Sequence, residues 1–420
     1  MNRSLGTSLR LGIAGLAGLA VGQFGPAMPS AMAQAPATST TPATSEAPAA
    51  AAPATPTSPL TAPSMAGPLT ANATPMKFDA GPLDTIYVTG VASGLGLFQS
   101  GAVLHDETAN FDISNGQVIV QKIDGFFQFY AQAGVYSLPA LGTNYYITQR
   151  AEQANGNYFG PLPVGYAKLV PNDIFSVQAG SLPTLIGAEY TFTFQNMNIE
   201  RGLLWNQEPA ISKGIQGNLT TGPVAWSLSW NDGFYSDRYN WVDGSATWTI
   251  DPANTLAVVG GGNVGYTGAN TVVAPFFQNN EDIVNLIYTY NNAPWTVTPY
   301  LQYTTVPKNP ALGAAKGAET WGGAILANYA IADTPWNVAG RFEYISSSGS
   351  VAGGNANVLY GPGSSAWSLT LTPTYQQGIF FARAEGSIVG TGSTTPGFVF
   401  GRSGNTSTQA RFVVEAGIIF

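Results

Sequence analysis

The last strand-like segment of the chain, RFVVEAGIIF, alternates strictly between two registers. One register is wholly apolar and consists of Phe412, Val414, Ala416, Ile418 and Phe420. The other register is mixed and includes Arg411 and Glu415. Because successive side chains of a strand point to opposite faces, the pattern predicts a strand with one apolar face and one partly polar face.

Similar alternating segments of about ten residues recur from Lys77 to the end of the chain, separated by turn residues. In PWTVTPYLQYTTV, for example, Trp295, Val297, Leu301 and Tyr303 share one face. Aromatic residues open and close this segment. Such a distribution is typical of strands that cross a membrane with an aromatic residue at each interface.

The connections between the segments are of two kinds that alternate along most of the chain. Short turns are predicted at 171–173, 220–223, 251–254, 291–294, 332–335 and 376–378. Long connections are predicted at 99–116, 138–164, 182–210, 267–281, 307–318, 348–365 and 391–409. This order predicts an all-β, transmembrane, antiparallel up-and-down β-barrel of about 16 strands, with long external loops and short periplasmic turns.

The composition disfavours a soluble β-sandwich. Only 9% of the 420 residues are charged, whereas a soluble domain carries about a quarter. The predicted outer faces carry Thr, Ser, Gly and aromatic residues in place of charge. Since lipid does not tolerate open sheet edges, the strands are expected to close into a barrel.

The N-terminal part of the chain divides into two segments before the predicted barrel (77–420). Residues 1–33 contain two basic residues, a short apolar run and an A-x-A site, which predict a secretory signal peptide. An uncleaved anchor is the alternative. Residues 34–76 are rich in Ala, Pro, Thr and Ser and are predicted to form a disordered periplasmic linker.

Charge and cysteine content exclude several classes of site. The chain has no cysteine, which excludes disulfides, Cys-based metal sites and Cys nucleophiles. Removal of residues 1–33 leaves 13 basic and 23 acidic residues, a formal net charge of −10. Without a basic patch, this balance argues against nucleic acid as a partner. No cofactor or metal is expected.

A stretch of the middle of the chain, FSVQAGSLPTLIGAEYTFTFQNMNIERGLLWNQEPAISKGIQ, resembles the OmpL-like β-barrel porin family. The matching positions are Gly180, Thr184, Gly187, Glu189, Asn196, Asn198, Arg201 and Pro209. The chain departs from the family pattern in Glu200-Arg201-Gly202, where Ser-Arg-Ser is expected, and in its long N-terminal tract.

The resemblance covers 77–420 and implies a porin of a Gram-negative outer membrane. The terminal strand also matches the signal shared by such barrels, which implies recognition of Phe420 by the barrel assembly machinery.

The loop 182–210 is the third external connection by this strand count and is the most heavily charged one. In general porins the third loop folds inward and forms the constriction. Its charged residues are Glu189, Glu200, Arg201 and Glu208, and Lys213 follows on the next strand. Charges on the non-lipid register of the thirteenth, fifteenth and sixteenth strands are Arg341, Glu343, Arg383, Glu385, Arg411 and Glu415.

Because a charge at the lipid-facing midplane costs about 2–4 kcal/mol, these wall residues are expected to point inward. Two roles are open for them: a selectivity filter with a transverse field, or ion pairs that brace the wall.

The sequence therefore predicts a passive channel for small hydrophilic solutes or ions, narrowed by loop 182–210, in contact with outer-membrane lipid. A homotrimer is expected from the size alone. A net charge of −10 favours a preference for cations, but the charges at the constriction, and not the total charge, decide the ion selectivity. The alternatives are a closed structural or adhesive barrel whose linker contacts the cell wall, and an enzyme using His105, the only histidine.

Overall fold

The computed structural model describes residues 65–148, 159–271, 273, 275–310 and 313–420. The predicted signal peptide and residues 34–64 of the predicted linker lie outside these residues. Strands account for most of the described chain. In chain order they are β1 (Met76–Asp79), β2 (Thr85–Ser100), β3 (Ala109–Lys122), β4 (Phe127–Tyr136), β5 (Val164–Asn172), β6 (Phe175–Pro183), β7 (Ile211–Thr221), β8 (Val224–Asn231), β9 (Trp241–Asp251), β10 (Asn254–Asn263), β11 (Asp282–Asn292), β12 (Trp295–Val306), β13 (Ala318–Ala330), β14 (Trp336–Ser347), β15 (Ser365–Gln377), β16 (Phe380–Gly392) and β17 (Thr408–Ile419).

The strands β2 to β17 form a closed antiparallel barrel. Each pairs with the strand that follows it in the chain, and β17 pairs with β2 from Ile419 opposite Val91 to Ala410 opposite Ser100. β1 pairs only with the start of β2 and adds a short arm outside the ring. The predicted up-and-down barrel of sixteen strands is confirmed.

Short 3₁₀ segments lie at Gly81–Leu83, Thr193–Gln195, Leu204–Gln207 and Gln278–Asn280. Across the described residues, no helix is both long enough and apolar enough to cross a lipid bilayer.

Alternation along the strands separates an apolar outer face from a polar inner face. On β17, Phe412 is 50% exposed on the outside, whereas Glu415 is 2% exposed and faces inward. Aromatic residues of the outer face pair across neighbouring strands at both ends of the barrel. Trp295 contacts Tyr329 at the short-turn end, with ring centroids 4.7 Å apart, and Tyr303 contacts Trp321 at the other end at 4.4 Å.

Long and short connections alternate around the barrel without a break. The long loops are 101–108, 137–163, 184–210, 232–240, 264–281, 307–317, 348–364 and 393–407. The predicted connection 99–116 is too long because β3 already begins at Ala109. The loop 232–240 is an additional one that was not among the predicted long connections. The loop 184–210 is the third long loop, as predicted, and is called L3 below.

The final residue completes the seam between β17 and β2. The backbone of Phe420 exchanges two hydrogen bonds of 2.9 Å with that of Gly90. A Cβ at position 90 would lie 2.6 Å from the Phe420 ring and 2.7 Å from the Gln117 carbonyl oxygen. Only glycine therefore leaves room at position 90 for the terminal ring.

Candidate functional site

L3 lies inside the barrel against one side of its wall. Residues 191–204 are all buried, although most of them belong to no regular secondary structure. A buried irregular backbone needs hydrogen-bond partners, and L3 finds many of them on inward-facing side chains of β14 and β16.

Two wall carboxylates hold the backbone of L3. Glu343 on β14 accepts the N–H groups of Leu203 at 2.9 Å and Leu204 at 3.2 Å. Glu385 on β16 accepts the N–H groups of residues 199 and 200. Successive backbone N–H groups that converge on one carboxylate form an anion-binding concavity, so each wall glutamate fastens one bend of L3.

Gly202 allows this close approach. A Cβ at position 202 would lie 2.1 Å from Oε1 of Glu343. The departure from the family pattern at this position therefore has a steric reason, because any larger side chain would displace the carboxylate.

Arg341 joins the wall to both ends of the L3 bend. Its guanidinium pairs with Glu189, donates to the carbonyl oxygen of Glu200 at 2.8 Å, and lies 3.2 Å from Oε2 of Glu343. These four residues are at most 2% exposed. Arg341 is thus the central cation of a buried cluster that contains three glutamates.

Two further arginines continue the network along the wall. Arg411 on β17 pairs with Glu200 at 2.7 Å and donates to the carbonyl oxygen of Ala140 in the second long loop, also at 2.7 Å. Arg383 on β16 makes a two-pronged pair with Glu415 and donates to the carbonyl oxygen of Asn196 at 3.1 Å. The predicted wall charges therefore face inward and are paired with each other or with L3.

The remaining predicted site residues have different surroundings. Arg201 is buried with its guanidinium 4.9 Å from the centroid of the Trp205 ring. Glu208 is buried close to Gly187. Lys213 is not brought into the cluster: it shares the outward register of Ile215 on β7, and its Nζ lies 2.6 Å from Asp237 in loop 232–240. Neighbouring residues of a strand point to opposite faces of the barrel wall. Closeness to L3 in the sequence therefore does not show whether Lys213 faces the lumen or the outside.

Burial changes the proton affinity of the loop carboxyl groups. Burial raises the pKa of Glu189, and Arg341 opposes the shift. Burial, with Glu189 and Glu343 nearby, raises the pKa of Glu208 well above its usual value. The pKa of Glu281 in loop 264–281 is likewise raised well above its usual value by burial and by the nearby Asp282 and Glu208. Protonated, neutral glutamates are therefore favoured at the edge of the cluster.

Sequence reasoning missed the neutral members of this network. Gln207 at the end of L3 donates to the carbonyl oxygen of Val358 at 2.9 Å and accepts from Thr320 at 2.7 Å. Asn198 donates to Thr372 at 2.7 Å. Asn198 was identified only as a position that matches the family pattern. The other signal was the inward register of Thr320 and Thr372, which many other polar residues of the barrel share.

The opposite wall, β5 to β10, carries inward-facing polar residues that are partly exposed. They include Gln178, Asn218, Ser227 and Thr247. Lys168 on β5 stands in this row, between Gln128 of β4 and Gln178 of β6. Within the described ranges no carboxylate forms an ion pair with Lys168. His105 is exposed in the first long loop.

Comparison with known proteins identifies relatives of the chain and of its fold. A family described as "Putative beta-barrel porin-2, OmpL-like" matches residues 81–420. No curated protein matches the chain. The anion-selective porin from Comamonas acidovorans superposes with a TM-score of 0.53 at 10% sequence identity, covering 80% of this chain and 99% of that porin.

Two further solved structures are similar to the same extent. Salmonella typhi OmpF in complex with daunomycin has a TM-score of 0.53 at 11% identity, with 82% of this chain and 100% of OmpF covered. Vibrio cholerae OmpT has a TM-score of 0.51 at 13% identity, with 83% and 100% covered. At such low identity these matches establish a shared barrel fold.

Proposed function

The chain belongs to the OmpL-like β-barrel porin family of the outer membrane, and from that premise we propose that it is a passive, non-enzymatic channel for small hydrophilic solutes. In this proposal L3 narrows the lumen, and solutes diffuse between L3 and the polar wall formed by β5 to β10.

The observation that carries this proposal is the attachment of L3 to one side of the barrel interior. A sixteen-stranded barrel encloses more space than its own side chains fill, so a loop inside it reduces the free cross-section. Arg341, Glu343 and Glu385 hold L3 on the β14–β17 side. The partly exposed polar residues on the opposite wall provide a surface that water can wet.

The predicted charge set divides between two roles in this scheme. Glu189, Glu200, Arg341 and Arg411 pair with one another, which supports a bracing role more directly than contact with solute. A transverse electric field of these charges across the lumen, which would act on passing ions, stays a prediction. The partly exposed ammonium group of Lys168 is the better candidate for direct contact with ions.

Export, assembly and oligomeric state complete the proposal. Residues 1–33 would direct secretion and be removed, and the assembly machinery would recognise the terminal Phe420. The close fit of Phe420 over Gly90 supports a role for this residue in closing the barrel. A homotrimer stays a prediction.

The test is single-channel conductance of the refolded protein in a planar bilayer under a salt gradient. Discrete conductance steps are expected, and Glu189→Gln is expected to change their size or noise because Arg341 then loses one of its pairs with L3. Glu319→Gln, at an exposed glutamate, is the matched control. A folded, heat-modifiable barrel that never conducts would overturn the proposal.

A closed barrel with a structural or adhesive role is the second candidate function. Burial of residues 191–204, together with the packing of residues 65–69 against the interior, favours it. This candidate requires that neither the full chain nor any variant with a loosened L3 conducts.

A further inference from the structure

The segment that precedes the barrel occupies part of its interior. Residues 65–75, here called the N-terminal segment, belong to the predicted linker but contact inward-facing residues. Leu69 is only 1% exposed and packs in an apolar cluster that extends to the short-turn end of the barrel. The barrel members of this cluster include Val91, Ile119, Phe381 and Ile419.

The N-terminal segment also reaches L3. The N–H of Ala66 donates to the carbonyl oxygen of Gln195 at 2.8 Å. Phe192 and Phe194 of L3 lie in the same apolar cluster as Leu69. The segment therefore lies directly against the inner loop, on the side of the short turns.

A wall side chain holds the middle of the segment, at Thr70. Gln376 is an inward-facing residue near the end of β15. Its Oε1 accepts the N–H of Thr70 at 2.8 Å, and its Nε2 donates to the carbonyl oxygen of Thr70 at 2.9 Å. A side-chain amide that satisfies both backbone groups of one residue holds an extended peptide as a neighbouring strand would.

The sequence of the segment suits this position. Gly67 adopts a φ of +76°, a backbone conformation that glycine accepts readily, and it turns the chain between Ala66 and Leu69. Ala66 and Gly67 are small enough to lie beside L3, and Leu69 supplies a fully buried apolar contact, to which Met65 adds a partly buried one. An unstructured spacer would need none of these contacts.

We propose that the N-terminal segment is an internal plug that restricts the lumen from the periplasmic side. The inference rests on the proposed function, because a plug matters only if the barrel otherwise conducts. The segment joins L3 at Gln195 to the wall at Gln376, so it occupies part of the interior on the short-turn side of L3. Its removal opens that space without breaking a barrel strand, because the first strand begins at Met76.

The experiment compares two deletions that differ only in the plug. One variant lacks residues 34–64 and keeps the N-terminal segment, and the other lacks 34–75. Both keep residues 1–33 for export, and heat-modifiable mobility on a gel checks their folding. In a planar bilayer, the single-channel conductance of the 34–75 deletion is expected to be at least about twice that of the 34–64 deletion.

A point substitution provides the same test in the full chain. Leu69→Asp places a charge in the apolar cluster and is expected to expel the segment and raise conductance. Leu83→Asp is the control, because Leu83 lies in the 3₁₀ segment before β2, is 43% exposed and is not part of the apolar cluster. If the longer deletion yields no folded barrel, the Leu69→Asp variant decides by the same criterion.

The possible outcomes distinguish a failure of the plug proposal from a failure of the porin proposal. Equal conductance of the two deletions would overturn the plug and leave the porin proposal standing. Absence of conductance in every folded variant would overturn both. Larger steps for the 34–75 deletion and for Leu69→Asp, with the Leu83→Asp variant unchanged, would support the plug.

Discussion

Replacement of Arg341 by Met should loosen L3 more than any other single change in the charged cluster. The substitution keeps most of the side-chain length but removes the one guanidinium that contacts Glu189, Glu343 and the carbonyl oxygen of Glu200. Glu189 and Glu343 then lose their shared cation inside a buried site, and the carbonyl oxygen of Glu200 loses a donor.

The expected cost follows from the geometry. At the 3.2 Å separation of Arg341 and Glu343, the attraction is about 5 kcal/mol for an effective dielectric constant of 20. Part of this attraction only offsets desolvation. Removing one partner of a buried pair typically lowers the free energy of unfolding by about 3–5 kcal/mol, since the other charge stays buried without a partner.

The assay is urea unfolding of the refolded barrel, followed by tryptophan fluorescence, together with single-channel recording. Arg341→Met should unfold at lower urea concentration than the wild type and give larger or noisier conductance steps. Arg402→Met is the matched control because Arg402 is exposed in the last long loop, and it should change stability by less than about 0.5 kcal/mol.

A second substitution tests whether the loss comes from unpaired charge. Glu189→Gln combined with Arg341→Met should recover part of the lost stability, because the pair is then neutral on both sides. The reasoning is refuted if Arg341→Met unfolds at the same urea concentration as the Arg402→Met control. It is also refuted if the double variant shows no recovery.

Three further predictions concern the lumen, the L3 bend and pH. Lys168→Glu should shift the reversal potential under a salt gradient towards cation preference, and an unchanged value would remove Lys168 from the ion path. Gly202→Ala should lower the free energy of unfolding in urea by about 1–3 kcal/mol, because its Cβ would collide with Glu343, whereas Gly386→Ala, with nothing within 4 Å, should not. Burial raises the pKa of Glu208, so the stabilising contribution of its protonated form is complete below about pH 4 and is lost as pH rises. In the wild type the urea midpoint should therefore fall between pH 4 and pH 8, and Glu208→Gln should make this fall smaller. An equal fall in both proteins would contradict this prediction.

Much of the barrel could be predicted because its rules are local. Alternation places Phe412 outside and Glu415 inside without knowledge of any neighbour. Turn residues mark where most strands reverse, and they gave a count of about sixteen, although the connections 123–126 and 232–240 were not among those predicted. Strand boundaries were predicted less accurately where polar residues continue from a loop into a strand. For example, β3 begins at Ala109, inside the predicted connection 99–116.

The candidate site was only partly predictable. Its wall charges could be placed inward by register, and L3 by its position as the third long loop. Lys213 has the same charge and lies close to L3 in sequence, yet β7 turns it outward to Asp237. The contacts of Gln207 and Leu69 had no sequence signal, because amides and isolated leucines are common throughout the chain.

The sequence by itself determined the barrel, its approximate strand number and the face on which most strand residues lie, because these depend on the two-residue period and on turns of a few residues. Only the tertiary structure decided that Arg341 meets Glu189 and that Leu69 enters the interior. Residues 189 and 341 are far apart in the chain, and they come together only when the ring closes and L3 folds across it. Such pairings depend on strand register around the whole barrel and on space left by glycine, as at Gly202, which no local pattern encodes.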